Sequence, residues 1–117
     1  MARYKLTNKA VEDLTQIWNY TFDKWSENQA DIYYQLILDN CRELAGKPGL
    51  GSNYSDITPD LLGFKAGRHI IFYRRMEENE IEITRILHGQ MDLKNNRKVI
   101  PQSKATLQLE EKRSLVL

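Results

Sequence analysis

A chain of 117 residues, net charge +1 and a single cysteine has the size of one compact domain and excludes an internal disulfide framework. With 41% hydrophobic and 28% charged residues it can bury one core, while its near-neutral balance argues against a dedicated nucleic-acid binder, which carries a clear basic excess. No stretch approaches the length that spans a bilayer, and "MARYKLTNKAVEDL" holds no apolar segment of a secretory signal, so cytoplasm is the expected compartment.

The charges are unevenly placed. Residues 8–46 hold seven acids (Glu12, Asp13, Asp23, Glu27, Asp31, Asp39, Glu43) against three bases (Lys9, Lys24, Arg42), a balance of −4. Residues 63–75 hold Lys65, Arg68, Arg74 and Arg75 with no acid, a balance of +4. One acidic and one basic surface are expected.

"RYKLT" (3–7) predicts a short first strand, with Thr7 as the N-cap of a helix. Ala10, Val11, Leu14, Ile17, Trp18, Thr21, Phe22 and Trp25 then fall within about 140° of arc at 100° per residue, a wide core-facing stripe. Trp18 and Trp25 are expected in the core on this pattern. "SENQ" (26–29) is a capping box that opens a second helix. Its stripe runs Ala30, Tyr33, Tyr34, Ile37, Cys41, Leu44 and Ala45, and Gly46 followed by Pro48 stops it. Cys41 on that stripe reads as an inert buried thiol. So short a break between the helices predicts an antiparallel helical hairpin.

"KPGLGSNYSDITPDL" (47–61) reads as a crossover loop. Strands are predicted at Leu62–Lys65, Ile70–Met76 and Ile81–Leu87, the last two joined by the polar turn "EENE". Their neighbouring apolar positions suit strands covered on both faces. The order is strand, helix, helix, meander. It predicts an α+β fold: one sheet holding a three-stranded antiparallel meander, with the helical hairpin on one face. Residues 1–94 form the expected domain. Residues 95–117 differ in composition, lack a sustained period and read as a C-terminal extension.

Three stretches together resemble the ParE toxins of the RelE/ParE superfamily: "LTNKAVEDLTQIWNYTFDKW", "LAGKPGLGSNYSDITPDLLGF" and "GRHIIFYRRMEENEIEITRILHGQMD". The resemblance covers residues 4 to 93 and implies the toxin of a type II toxin–antitoxin pair. It implies a bacterial, cytoplasmic protein that binds a ParD-like antitoxin and acts on DNA gyrase, stalling it on cleaved DNA. Ribosome-dependent mRNA-cutting relatives share the fold without sharing this target.

Two readings of the arginines and histidines compete. Metal-free RNA cleavage needs a base for the 2′-hydroxyl, an acid for the leaving group and cations for the phosphate charge. His88 with Arg85 or Arg68 fits part of that need, yet the middle strand offers Ile70, Ile71 and Phe72 in its centre. Apolar strands rimmed by arginine suit a protein partner instead. On this reading Arg68, Arg74, Arg85 and Tyr34 meet the antitoxin. Arg85, His88, Gln90, Met91 and Asp92 meet gyrase. No catalytic residue is expected. A structural alternative stands beside each residue. Arg85 pairs with Asp13 or Asp92, Arg74 and Arg75 make surface ion pairs with the acidic turn, and His69 and His88 cap strand ends. Two histidines and one cysteine, widely separated, make no zinc signature, and "GLG" (49–51) follows a helix rather than a strand, so no phosphate loop is expected. Expected partners are a ParD-like antitoxin and DNA gyrase, with no cofactor, no membrane and no sequence-specific nucleic acid.

Overall fold

Thr7 ends the first strand and starts the first helix. In the computed structural model, which describes residues 2–77 and 79–89, its Oγ1 accepts the Ala10 N–H at 3.1 Å and donates to the Thr84 carbonyl at 2.9 Å. Its own N–H reaches the Ile83 carbonyl at 3.1 Å. One buried threonine therefore caps a helix and fixes that helix to a strand nearly eighty residues away.

The elements run in the order β1 (Arg3–Leu6), α1 (Asn8–Lys24), α2 (Glu27–Gly46), a single 3-10 turn (Pro48–Leu50), β2 (Ser52–Asn53), β3 (Leu62–Ala66), β4 (His69–Arg75) and β5 (Glu80–His88). Ser26 caps α2 through the Gln29 N–H, as the capping box requires. The strands form one sheet in the order β1-β5-β4-β3-β2. The meander β3–β4–β5 is antiparallel, and β1 runs parallel to β5, with Leu6 opposite Ile83. This is the α+β fold that the pattern predicts.

The helical hairpin covers one face of the sheet. Leu14, Ile37, Cys41, Leu44, Ile71, Tyr73, Ile81, Ile83 and Ile86 form the main core between them. Residues 54–61, expected only to cross from helix to sheet, fold over the other face. There Ile57 and Leu61 pack on Phe72 and Leu87, with Tyr54 edge-on to the Phe72 ring at 5.2 Å. Both faces of the central strands are thus buried, which is why their sequences do not alternate. The same segment contributes β2, which pairs Ser52 and Asn53 with Gly63 and Leu62. Two residues are too few to show a strand period.

The register slips once. Phe72 faces Arg85 while Tyr73 faces Ile83, leaving Thr84 bulged in β5. Thr84 donates its hydroxyl to the Phe72 carbonyl at 3.1 Å, so the bulge is held by its own side chain. Tyr73 serves as a pin from the sheet to the helix exit. Its hydroxyl donates to the Pro48 carbonyl at 2.7 Å and accepts the Gly51 N–H at 2.9 Å. A Cβ at position 51 would collide with that hydroxyl, so the approach requires glycine.

One expectation fails. Trp25 is 70% exposed, and Phe22 is exposed as well. Trp25 is the C-cap of α1, with φ −127° and ψ −80°, so the 100° progression that placed it on the core stripe has already ended. Trp18 is half-buried on the rim. Its ring stacks on Phe22 at 5.3 Å and its indole N–H donates to Asp31 at 3.0 Å. Cys41 is fully buried, and burial pushes its thiol up to about 12.

Candidate functional site

β5 outruns β1. The parallel ladder ends at Ile83, so among the described residues no strand lies beside the outer edge of β5 from Thr84 onward. Bare edges attract other strands. Here α1 closes the edge: Thr7 takes the Thr84 carbonyl, and the Asp13 carboxylate accepts the Ile86 N–H at 3.0 Å. The same carboxylate holds Arg85 by two prongs, Nε to Oδ2 at 2.7 Å and Nη2 to Oδ1 at 2.9 Å. Both side chains are largely buried, with 15% and 9% exposure. A semi-buried arginine in an apolar strand must find an acceptor, and Asp13, one of the two acids expected for it, supplies one.

Past Ile17 the helix α1 overhangs the end of the sheet, and a cleft opens beneath it. The cleft holds about 1060 Å³. Ile17, Tyr20, Thr21 and Trp25 of α1 form one wall, Gln29 and Tyr33 of α2 another. Gly67, Arg68 and His69 at the β3–β4 turn and Arg85 to His88 at the end of β5 complete it. Tyr20 is 63% exposed on its rim, with the Lys24 ammonium 5.9 Å from its ring.

The floor of the cleft is a hydrogen-bonded ring cluster. The Tyr33 hydroxyl accepts the Arg68 N–H at 2.9 Å. It also shares a hydrogen bond with His69 Nδ1 at 2.7 Å and lies 3.4 Å from the Ala66 carbonyl, the shorter contact being the stronger. The His69 and His88 rings, opposite one another in the ladder, meet edge to face at 5.4 Å. Burial and the neighbouring His88 lower the pKa of His69 from 6.5 to about 4, against an opposing pull from Asp13. His69 is therefore neutral at neutral pH. Burial likewise raises the Tyr33 hydroxyl above its ordinary value, so it stays protonated and serves as a donor. Gly67 permits the arrangement: its φ is +60°, and a Cβ there would lie 2.7 Å from the Tyr33 ring.

Of the residues singled out from sequence, the fold brings Arg68, Arg85 and His88 to this cleft. Arg74 lies toward the opposite end of β4, across the ladder from the buried Glu82. Tyr34 packs against the main core. Gln90, Met91, Asp92 and the extension 95–117 lie outside the described residues. Sequence reasoning missed Tyr20, Trp25 and the Tyr33–His69 bond as parts of one site. A signal for Trp25 was present: Ser26 as N-cap of α2 puts Trp25 between two helices, where a helical stripe no longer applies. Among the described residues no group of three or more His, Cys, Asp or Glu side chains is placed to hold a metal ion, and no helix is long and apolar enough to cross a membrane.

The sequence profile of the family described as "ParE toxin of type II toxin-antitoxin system, parDE" matches residues 4–93. The chain is 34% identical over 95 residues to a Toxin ParE1 of Mycobacterium tuberculosis, covering 81% of this chain and 97% of that one. It is 30% identical over 92 residues to a Toxin ParE1 of Caulobacter vibrioides, covering 79% of this chain and 94% of that one. Among solved structures, a chain of the "Chromosomal ParDE TA system from P. aeruginosa" superposes with a TM-score of 0.64 at 22% identity, covering 75% of this chain and 96% of that chain. That last likeness concerns the fold; the sequence matches carry the assignment, and the chain belongs to the ParE toxin family of type II toxin–antitoxin systems.

Proposed function

We propose that this chain acts as a toxin by gripping DNA gyrase, without breaking bonds itself, and is neutralised in the bacterial cytoplasm by a ParD-like antitoxin. The Asp13–Arg85 pair carries the reading. Cutting RNA without a metal requires cations for the phosphate charge, and of the two arginines that line this cleft one, Arg85, is already clamped by two charge-assisted hydrogen bonds. His69, neutral and with Nδ1 engaged by Tyr33, is poorly matched to acid–base work at neutral pH. What the cleft does offer is an aromatic rim, an apolar wall and an exposed arginine, the features of a groove for an amphipathic, acidic segment.

The antitoxin is assigned to that cleft, with Arg68 at its mouth. Arg74 and Tyr34 belong to separate regions of the surface, so they act in antitoxin binding only if the partner wraps beyond the cleft. Gyrase is assigned to the end of β5 and the residues after it, His88, Gln90, Met91 and Asp92, with Arg85 behind them. Supercoiling and DNA-cleavage assays with purified gyrase test this. Inhibition with accumulated cleaved DNA, relieved by the antitoxin, is expected. Tight antitoxin binding without inhibition or growth arrest identifies a non-toxic remnant.

One observation favours a second reading, a ribosome-dependent mRNA endonuclease: His88 stands against His69 on the floor of a cleft that also holds Arg68. Cleaved mRNA in expressing cells, lost in His88→Ala while the fold persists and gyrase stays active, establishes it.

A further inference from the structure

The turn between β3 and β4 gathers cations that no acid answers. Lys65 lies near the end of β3, Arg68 follows in the turn, and both are exposed. Arg3, Arg42 and Arg85 each pair with a carboxylate. Among the described residues neither Lys65 nor Arg68 makes such a pair. Together with Gly67, Ile70, His88 and Gly89 they line a second, smaller pocket of about 450 Å³. Lys65 stands opposite Ile70 in the ladder, so its side chain rises from the same face of the sheet as that partly buried apolar group. The aromatic cleft shares Gly67, Arg68 and His88 with this pocket, but Lys65, Ile70 and Gly89 line the pocket alone.

The pocket is built on an anchored frame. The Arg68 N–H donates to the Tyr33 hydroxyl at 2.9 Å, and the Arg68 carbonyl accepts the Gly89 N–H at 2.9 Å. The guanidinium therefore starts from a held turn, which lowers the ordering cost of binding. Two cations on one small pocket concentrate positive potential there, and an anion relieves their repulsion. The arginine fork matches two phosphate oxygens, while the lysine supplies a point charge. We propose that Lys65 and Arg68 hold one backbone phosphate of a nucleic-acid strand, with the adjoining sugar against Ile70 and Gly89. The pocket is larger than a phosphate group and both cations face solvent, which suits a phosphate carried on a chain. A net charge of +1 fits one local contact of this kind rather than an extended basic track, and a backbone contact carries no sequence information. This inference goes beyond the gyrase reading and does not depend on it, because the binding belongs to this chain alone.

The test titrates the full chain, isotope-labelled for NMR, with a short oligothymidylate, with inorganic phosphate and with a short oligoglutamate. The oligothymidylate is expected to shift the Lys65 and Gly89 amides while the Trp25 indole, on the rim of the aromatic cleft, stays in place. Two cations on a single strand give a slope of log affinity against log salt of about −1.4, and Lys65→Gln lowers it to about −0.7. The same substitution weakens oligothymidylate binding roughly fivefold, the scale of one exposed charge contact, and Lys65→Arg restores it. Both variants change an exposed side chain, and unmoved amides in the helices verify that the fold persists. Absence of shifts at Lys65 and Gly89, or an affinity and slope unchanged in Lys65→Gln, overturns the proposal. Inorganic phosphate binding as tightly as the oligothymidylate also overturns it and assigns the pocket to a free anion. Oligoglutamate binding as tightly overturns it in favour of an acidic peptide.

Discussion

Asp13 holds Arg85 with both oxygens, and one of those oxygens also receives the Ile86 N–H. A single carboxylate thus neutralises a semi-buried cation and ends the exposed edge of a strand. Asp13→Ala leaves the guanidinium and the backbone donor together without that acceptor. Removing one partner of a buried pair costs about 3–5 kcal/mol, so a large fall in the denaturant midpoint is expected. Replacing both partners, Asp13→Leu with Arg85→Met, costs less than the single change because no stranded charge remains. A double-mutant cycle in urea measures the difference.

His69 makes stability depend on pH in a defined window. Its pKa falls from 6.5 to about 4 on folding, so the unfolded chain binds the proton more readily. Stability is full above pH 6.5 and declines as pH drops toward 4. Because the ring is half-buried, solvent screening reduces the effect to on the order of 1 kcal/mol. Urea midpoints between pH 5 and 7 should slope for the natural chain and flatten for His69→Gln. Equal slopes for both show that the ring is not the source.

The Tyr73 pin predicts a loss without a cavity. Tyr73→Phe keeps the ring in the core but strands the Pro48 carbonyl and the Gly51 N–H, both bound at under 3 Å. Both groups are only part-buried, so each lost hydrogen bond costs about 0.5–1.5 kcal/mol. Thermal unfolding should register that loss, and amide exchange at Gly51 should quicken relative to the sheet.

Trp25 and Arg68 separate binding from stability. Both are exposed, so Trp25→Ala and Arg68→Glu should leave the unfolding midpoint within about 0.5 kcal/mol. If the antitoxin fills the cleft, each weakens the complex by about 2 kcal/mol or more, as truncation of an aromatic or arginine anchor does. Arg74→Glu, across the ladder from Glu82, sets two like charges opposite one another and should instead lower stability. Calorimetric titration with the antitoxin, beside chemical denaturation, distinguishes the two kinds of residue.

Much of this architecture was legible in the sequence because it is written in local signals. Thr7 and Ser26 mark helix starts through side chains that reach their own backbone, and Gly46 with Pro48 marks a stop. The hydrophobic spacing of α2 points one stripe at the core whatever lies there. Even the Asp13–Arg85 pair was foreseeable as one of two choices, since an arginine inside an apolar strand needs an acid. Three quoted stretches at the right spacing also pointed to the family.

Only the tertiary structure decided the rest, because it depends on where distant elements end relative to one another. β1 stops at Leu6 and β5 continues to His88, so an edge is left for α1 to close and a cleft is left under its overhang. Nothing within α1 records that the sheet runs out beneath Ile17, which is why Phe22, inside the helix and on its apolar stripe, is solvent-exposed. The covering of the second sheet face by Ile57 and Leu61, and the meeting of Tyr33 with His69 across 36 residues, likewise arise from packing. Local spacing sets which face of an element is apolar; the lengths and register of the partners set how much of that face is covered.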